Sequence, residues 1–205
     1  MSVAQSPPRT IFISRHGEKP ADPPAQPPPF GVDLDGNEDG HSLLPLGWQR
    51  AGALATLFAP FGGVLRTGML TPAQLISPDY GSTAKTAEHR TYQTIYPLSQ
   101  LVDVPIENPF AEGSEAELGK MVAAVSTGTT LICWEHKAIP TIANNILPIA
   151  NGTVIPQTWP GERFDVVWAF SFDPDSASYE FDQIPQMLLA GDSDTPIPPS
   201  APPPP

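Results

Sequence analysis

Residues 10–17 read TIFISRHG, and this stretch decides the fold. Its first four residues are β-branched or apolar, as in a strand that is buried on both faces of a sheet. The apolar run stops at Arg15, His16 and Gly17. Because ligands bind beyond the carboxyl ends of parallel strands, basic residues at the end of a buried strand mark a candidate site.

Strand-like and helix-like patterns alternate along the rest of the chain. Strands are predicted at residues 73–77, 101–106 and 130–134, and helices at residues 46–58, 86–96, 118–125 and 139–146. Residues 164–172 and 178–181 flank a turn sequence, DPDS, and predict an antiparallel hairpin. The alternation predicts an α/β fold, a three-layer α/β/α sandwich with a mostly parallel sheet and an antiparallel edge hairpin.

Proline-rich stretches interrupt the alternation of predicted strands and helices. The 205 residues suit one domain, and they include 28 prolines. Proline-rich sequence at residues 20–44 predicts an irregular excursion from the domain. The sequence DSDTPIPPSAPPPP at residues 192–205 predicts a disordered tail, so the domain is expected to span residues 1–191.

The net charge of the chain limits the binding partners that are expected for it. Ten Lys and Arg against 22 Asp and Glu give a net charge of −12, which disfavours nucleic acid and anionic membranes. No run of about eighteen apolar residues predicts a membrane span. The start, MSVAQSPPRT, has no apolar run like that of a signal peptide, and Cys133 has no second cysteine to pair with. These features predict a cytoplasmic protein.

Basic and acidic side chains follow several of the predicted strands. Arg15 and His16 follow the first and His136 the fourth, while Arg90 and Glu107 lie in connections after the second and third. At the carboxyl edge of one sheet these groups could meet in one crevice. A neutral imidazole is a good nucleophile near pH 7, and arginine binds phosphate oxygens bidentately. These residue types are chemically suited to phosphoryl transfer.

Three ordered motifs, RHGE at residues 15–18, RTYQT at 90–94 and WEH at 134–136, resemble those of the histidine phosphatase superfamily. With the helix sequence LGWQRAGAL at residues 46–54, they are similar to the phosphoglycerate-mutase-like branch over residues 10 to 185. The resemblance implies a phosphohistidine on His16, with Arg15, Arg90 and His136 binding the phosphoryl group. It implies no metal and no cofactor.

The proton donor and the second phosphate-binding cation each have more than one candidate residue. In the family a carboxylic acid protonates the leaving alcohol, and Glu107, directly after the predicted third strand, is the first choice before Glu112 and Glu115. The second cation is expected to be Arg90, with Lys85 as the alternative.

The expected activity is hydrolysis of a phosphomonoester, either a small phosphorylated substrate or a phosphopeptide. One alternative is a phosphoglycerate-mutase-type phosphotransferase. RHGE is, however, followed here by Lys19, Pro20, Ala21 and Asp22, where the mutases have a Ser-x-x-Asn pattern. Another alternative is a phosphate-binding module without turnover, with the proline-rich tail as a polyproline ligand.

Overall fold

A computed structural model of the chain describes residues 9–21, 27–80, 88–124 and 128–199. Its strands are β1 Thr10–Arg15, β2 Gln74–Ile76, β3 Ile106–Glu107, β4 Thr129–Trp134, β5 Val166–Asp173 and β6 Ser178–Pro185. Its helices are α1 Pro45–Phe58, α2 Arg90–Val102, α3 Glu115–Ala124 and α4 Ile139–Ala143. The strands form one sheet in the order β3-β2-β4-β1-β5-β6.

The first four strands of that order are mutually parallel, and β5 and β6 complete the sheet in antiparallel pairings. Side chains alternate between the faces, because successive residues of a strand point to opposite sides. Phe12 packs with α1 and α2 on one face, whereas Ile11 and Ile13 pack with α3 and α4 on the other. The predicted α/β sandwich with its antiparallel hairpin is confirmed.

The second helix and the third strand differ from the prediction. We expected Pro97 to end a helix at residue 96 and a strand to follow at 101–106, but α2 runs to Val102 with Pro97 inside it. Ile95 and Leu98 are fully buried against the sheet, and this packing outweighs the cost of proline in the helix. The helix ends at Asp103, which adopts a left-handed conformation, and only two residues remain for β3.

The predicted disordered tail is wrong for residues 192–199. Ile197 is 2% exposed and belongs to the core on the α3–α4 face. The Gln183 side chain of β6 holds it, donating to the Ile197 carbonyl and accepting from its N–H, each at 2.9 Å. The proline-rich composition predicted disorder. A few apolar and polar side chains are nevertheless enough to hold an extended segment against an edge strand. Residues 200–205 lie outside the described residues.

No helix within the described ranges is long and apolar enough to cross a membrane.

Candidate active site

His16 lies just past the end of β1, at the carboxyl edge of the sheet. Its backbone N–H donates to the Trp134 carbonyl at 3.3 Å, so it adjoins the end of β4 and the WEH motif. The side chain is nearly buried, and its Nδ1 lies 2.7 Å from the Gly17 carbonyl oxygen. A carbonyl can only accept, so Nδ1 carries the proton and Nε2 has the lone pair.

The surroundings keep His16 uncharged. Burial, and then the charge of Arg15, lower the pKa of His16 to about 3, and Arg90 and His136 act in the same direction. The hydrogen bond to Gly17 opposes these effects but does not outweigh them. At neutral pH His16 is therefore a neutral imidazole with Nε2 unprotonated, which is the form that can attack phosphorus.

Arg15, the last residue of β1, is 2% exposed and is held by the loop at residues 160–164, named here the Arg15 loop. Its Nη1 donates to the carbonyl oxygens of Gly161 at 2.6 Å and Arg163 at 3.2 Å. The guanidinium stacks on Phe164, with Cζ 3.8 Å from the ring centroid. Burial lowers the pKa of Arg15 to about 10, which leaves it charged at neutral pH.

Phe164 connects Arg15 to the nucleophile candidate. Its ring also meets the His16 imidazole edge to face, with the centroids 6.1 Å apart. The Nε of Arg15 is buried and has no hydrogen-bond partner among the described residues. A buried guanidinium N–H without a hydrogen-bond partner, next to a neutral imidazole, is suited to bind an anionic ligand.

His136 follows β4 and lies near the same loop. A Cβ built on Gly161 would stand 3.7 Å from His136 Nε2, so the ring faces the segment that binds Arg15. Burial, and then Arg15, lower the pKa of His136 to about 4. Its Nδ1 lies 2.9 Å from Glu135 Oε1, but without the alignment of a hydrogen bond. Like His16, it is neutral near pH 7.

Arg90 is the first residue of α2 and is mostly buried. Its Nη2 donates to the Gly40 carbonyl at 2.9 Å and lies 2.7 Å from Glu88 Oε2. Its charge lowers the pKa of His16, which places it within electrostatic range of that ring. The alternative cation, Lys85, lies outside the described residues.

Two further residues of the RTYQT motif have roles that the sequence did not reveal. Thr94, one helical turn after Arg90, accepts from the Gly17 N–H at 2.8 Å and donates to the Arg90 carbonyl. Gln93 is buried and accepts from the Leu43 N–H at 2.9 Å. The motif therefore joins the turn after His16 to α2 and to the excursion at residues 20–44.

Gly17 and Gly47 allow α1 to approach the turn after His16. A Cβ on Gly17 would lie 3.0 Å from the Gly47 carbonyl oxygen, and one on Gly47 would lie 2.5 Å from that of Glu18. Both contacts are with backbone, which cannot rotate away. Any larger residue at position 47 would displace the turn.

The three carboxylates considered as proton donors lie in different surroundings. Glu107 belongs to the exposed edge strand β3, and its Oε2 accepts from Gln74 Nε2 at 2.9 Å. The Glu115 carboxylate already makes hydrogen bonds within the fold, because its Oε1 accepts from the Trp134 indole N–H and from the Gly113 N–H. Burial, followed by the charges of Glu135, Glu115 and Glu88, raises the pKa of Glu112. This raised pKa favours the protonated form of the Glu112 carboxyl group.

Arg50 of α1 was not singled out by sequence reasoning, yet it is buried beside the site. Its Nη2 contacts Glu18 Oε1 and Asp192 Oδ1, each at 2.8 Å, and its Nη1 donates to Gln186 Oε1. Burial alone would lower the pKa of Arg50, but its hydrogen bonds to Asp192 and Glu18 raise it. The motif LGWQRAGAL contained this residue, but its partner at position 192 could not be read from local sequence.

No cluster of three or more His, Cys, Asp or Glu side chains in the described ranges could hold a metal ion.

The likeness of this chain to known proteins is found among solved structures. No family model matches the chain, and no curated protein sequence matches it. Among solved structures, SixA from Agrobacterium tumefaciens, a proposed phosphohistidine phosphatase, aligns with a TM-score of 0.48 and 14% sequence identity. The alignment covers 85% of this chain and 97% of that one.

Proposed function

We propose that the protein hydrolyses phosphomonoesters through a phosphohistidine on His16, as a member of the histidine phosphatase superfamily. The observation that carries this proposal is the state of His16. The ring is buried and neutral, and Nδ1 is committed to the Gly17 carbonyl, which leaves the Nε2 lone pair for phosphorus. Arginines at positions 15 and 90 supply positive charge around it.

In the first step, Nε2 of His16 forms a bond to phosphorus as the ester P–O bond breaks. The bonding electrons pass to the leaving oxygen, and Glu112 gives that oxygen its proton. Burial, followed by the charges of Glu135, Glu115 and Glu88, raises the pKa of Glu112, which favours the protonated form that acts as an acid and so supports this role. Arg15 and Arg90 balance the charge on the phosphoryl oxygens.

In the second step, water attacks phosphorus and the P–N bond breaks. Glu112, now a carboxylate, takes a proton from the water, and its acid form is restored. The electron pair of the P–N bond returns to Nε2, which regenerates neutral His16. Inorganic phosphate leaves, and the two steps together consume one water.

His136 is proposed as a second ligand of the phosphoryl group. Its ring lies against Gly161, the residue whose carbonyl binds Arg15, so it approaches the same space from the β4 side. A neutral imidazole can donate one hydrogen bond to a phosphoryl oxygen without adding charge. The substrate is proposed to be a small phosphorylated molecule or a phosphopeptide.

The test is turnover of a generic aryl phosphate by the wild-type protein and the His16→Ala variant. We expect phosphate release by the wild type and none above background by the variant. A panel of phosphorylated metabolites, phosphopeptides and phosphohistidine peptides then separates the substrate classes. Absence of turnover on every member, together with intact phosphate binding, would support the non-catalytic module instead.

A further inference from the structure

Two arginines, the buried Arg50 and the partly buried Arg163, connect residues 186–199, named here the C-terminal segment, to the candidate active site. Arg50 holds Asp192 through two contacts, Nη2 to Oδ1 at 2.8 Å and Nη1 to Oδ2 at 3.2 Å. Its Nε and Nη2 also donate to Glu18 Oε1, at 3.0 and 2.8 Å. Glu18 is two residues from His16, so Arg50 joins the C-terminal segment to the turn that carries the nucleophile candidate.

Arg163 makes the second connection. Its Nη2 donates to the Thr195 carbonyl and its Nε to Asp165 Oδ1, each at 2.7 Å. The other carboxylate oxygen of Asp165 accepts from the Ser193 N–H at 2.6 Å. The Arg163 carbonyl, meanwhile, is one of the oxygens that bind Arg15. The side chain of Arg163 thus holds the C-terminal segment while its backbone holds Arg15.

The buried Arg50–Asp192 pair contributes little if its only effect is on the free energy of unfolding. Taking a charged pair out of water consumes most of the energy that the pairing returns, so a buried pair adds little net stability. What two-point arginine–carboxylate contacts supply is fixed geometry. The Arg50–Asp192 pair has that form, since both side chains are nearly buried and two atoms of each take part.

We propose that Arg50 and Arg163 are positioning residues through which the C-terminal segment fixes Arg15 and the His16–Glu18 turn for phosphate binding. This inference rests on the proposed function for the identity of the ligand. It extends the site to Asp192, Ser193 and Thr195, which composition alone assigns to a tail. Neither arginine is required to touch the substrate.

The test compares Asp192→Asn with Asp194→Asn, the same change two residues away at an exposed side chain. Binding of inorganic phosphate is measured by calorimetry, and kcat and KM are measured with an aryl phosphate. We expect Asp192→Asn to raise the phosphate Kd and the KM roughly tenfold, because a small misplacement of binding groups is costly. Asp194→Asn should match the wild type in both.

Two more variants separate positioning from folding. Ile197→Ala removes a buried side chain of the same segment without touching either arginine, so it should lower the Tm and leave the phosphate Kd unchanged. Arg163→Lys keeps the charge but cannot make both contacts, and it should weaken phosphate binding as Asp192→Asn does. If the phosphate Kd rises in proportion to the loss of Tm across all four variants, the proposal is overturned. It is also overturned if Asp192→Asn and Arg163→Lys leave the phosphate Kd unchanged.

The outcomes also distinguish the two proposals. If the wild type binds phosphate but does not turn over esters, hydrolysis is refuted, and the Kd comparison still decides the role of the two arginines. If the wild type neither binds phosphate nor turns over esters, both proposals are refuted.

Discussion

The Nδ1 atom of His16 lies 2.7 Å from the carbonyl oxygen of Gly17, the next residue in the chain. This contact fixes the tautomer of a buried imidazole, because the carbonyl accepts only from a protonated Nδ1. Gly17 is held in turn by Thr94, which accepts from its N–H. The orientation of the candidate nucleophile thus depends on α2, more than 70 residues away in sequence.

We expect the free energy of unfolding to fall as the pH drops from about 6.5 toward 4. The pKa of His16 is lowered from 6.5 to about 3 by burial and by Arg15, so in this window the unfolded chain binds a proton that the native state excludes. Replacing His16 with Gln removes this contribution. Urea unfolding at several pH values should give a shallower slope for His16→Gln, whereas equal slopes would show that His16 is charged in the native state.

Glu112→Gln should lose far more activity on an alkyl phosphate, by roughly 100-fold or more, than on a nitrophenyl phosphate, whose leaving group needs no proton. The matched control is Glu107→Gln, which changes an exposed carboxylate on β3. It should retain wild-type activity on both substrates. Equal losses on the two esters for Glu112→Gln would assign that residue to structure or binding.

The raised pKa of Glu112 also predicts how the rate depends on pH. An acid catalyst must be protonated, so kcat with an alkyl phosphate should decrease as the pH rises through the pKa of Glu112. The Glu112→Gln variant should keep a low residual kcat, and this kcat should no longer decrease at alkaline pH. A decrease that persists unchanged would point to another proton donor.

Gly47→Ala should reduce both stability and activity. Its Cβ would lie 2.5 Å from the Glu18 carbonyl oxygen, so the turn after His16 must move, at a cost of about 1–3 kcal/mol. Gly52 lies on the same helix with no atom within 4 Å of an added Cβ, and Gly52→Ala should add about 0.5–1 kcal/mol of stability with unchanged kcat/KM. Thermal unfolding and steady-state kinetics check both, and similar behaviour of the two variants would refute the close-approach argument.

Activity should survive excess chelator. In the proposed mechanism the positive charge around the phosphoryl group comes from the guanidinium groups of Arg15 and Arg90. Assays before and after prolonged treatment with EDTA should give the same kcat/KM. Loss of activity that added magnesium restores would require a metal-dependent mechanism.

The sequence predicted the parts of the site that depend on buried strands. Thr10–Arg15 and Thr129–Trp134 are continuously buried strands with apolar centres, and their ends place His16 next to the WEH motif. The choice of Glu107 followed from an incorrect third strand, because buried packing extended α2 through Pro97 and shortened β3 to two residues. Glu107 is therefore part of the strand, and its carboxylate turns to Gln74.

Contacts between distant residues could not be predicted in this way. The pairing of Arg50 with Asp192 spans 142 positions and has no local signal. The Arg15 loop could not be predicted either, because the hydrogen bonds to the guanidinium come from backbone carbonyls, which local sequence does not mark. Periodicity and turn composition describe neighbours in sequence, whereas these contacts depend on the completed fold.

The central claim is a covalent phosphohistidine on His16. The direct measurement is rapid quenching of the protein with a phosphate-labelled aryl substrate, followed by mass spectrometry of the peptide that contains residues 10–19. We predict an acid-labile, base-stable phosphoryl adduct on His16 of the wild type and no adduct in His16→Ala. Equal labelling of His16→Ala, or turnover by the wild type with label only at another residue, would contradict the account.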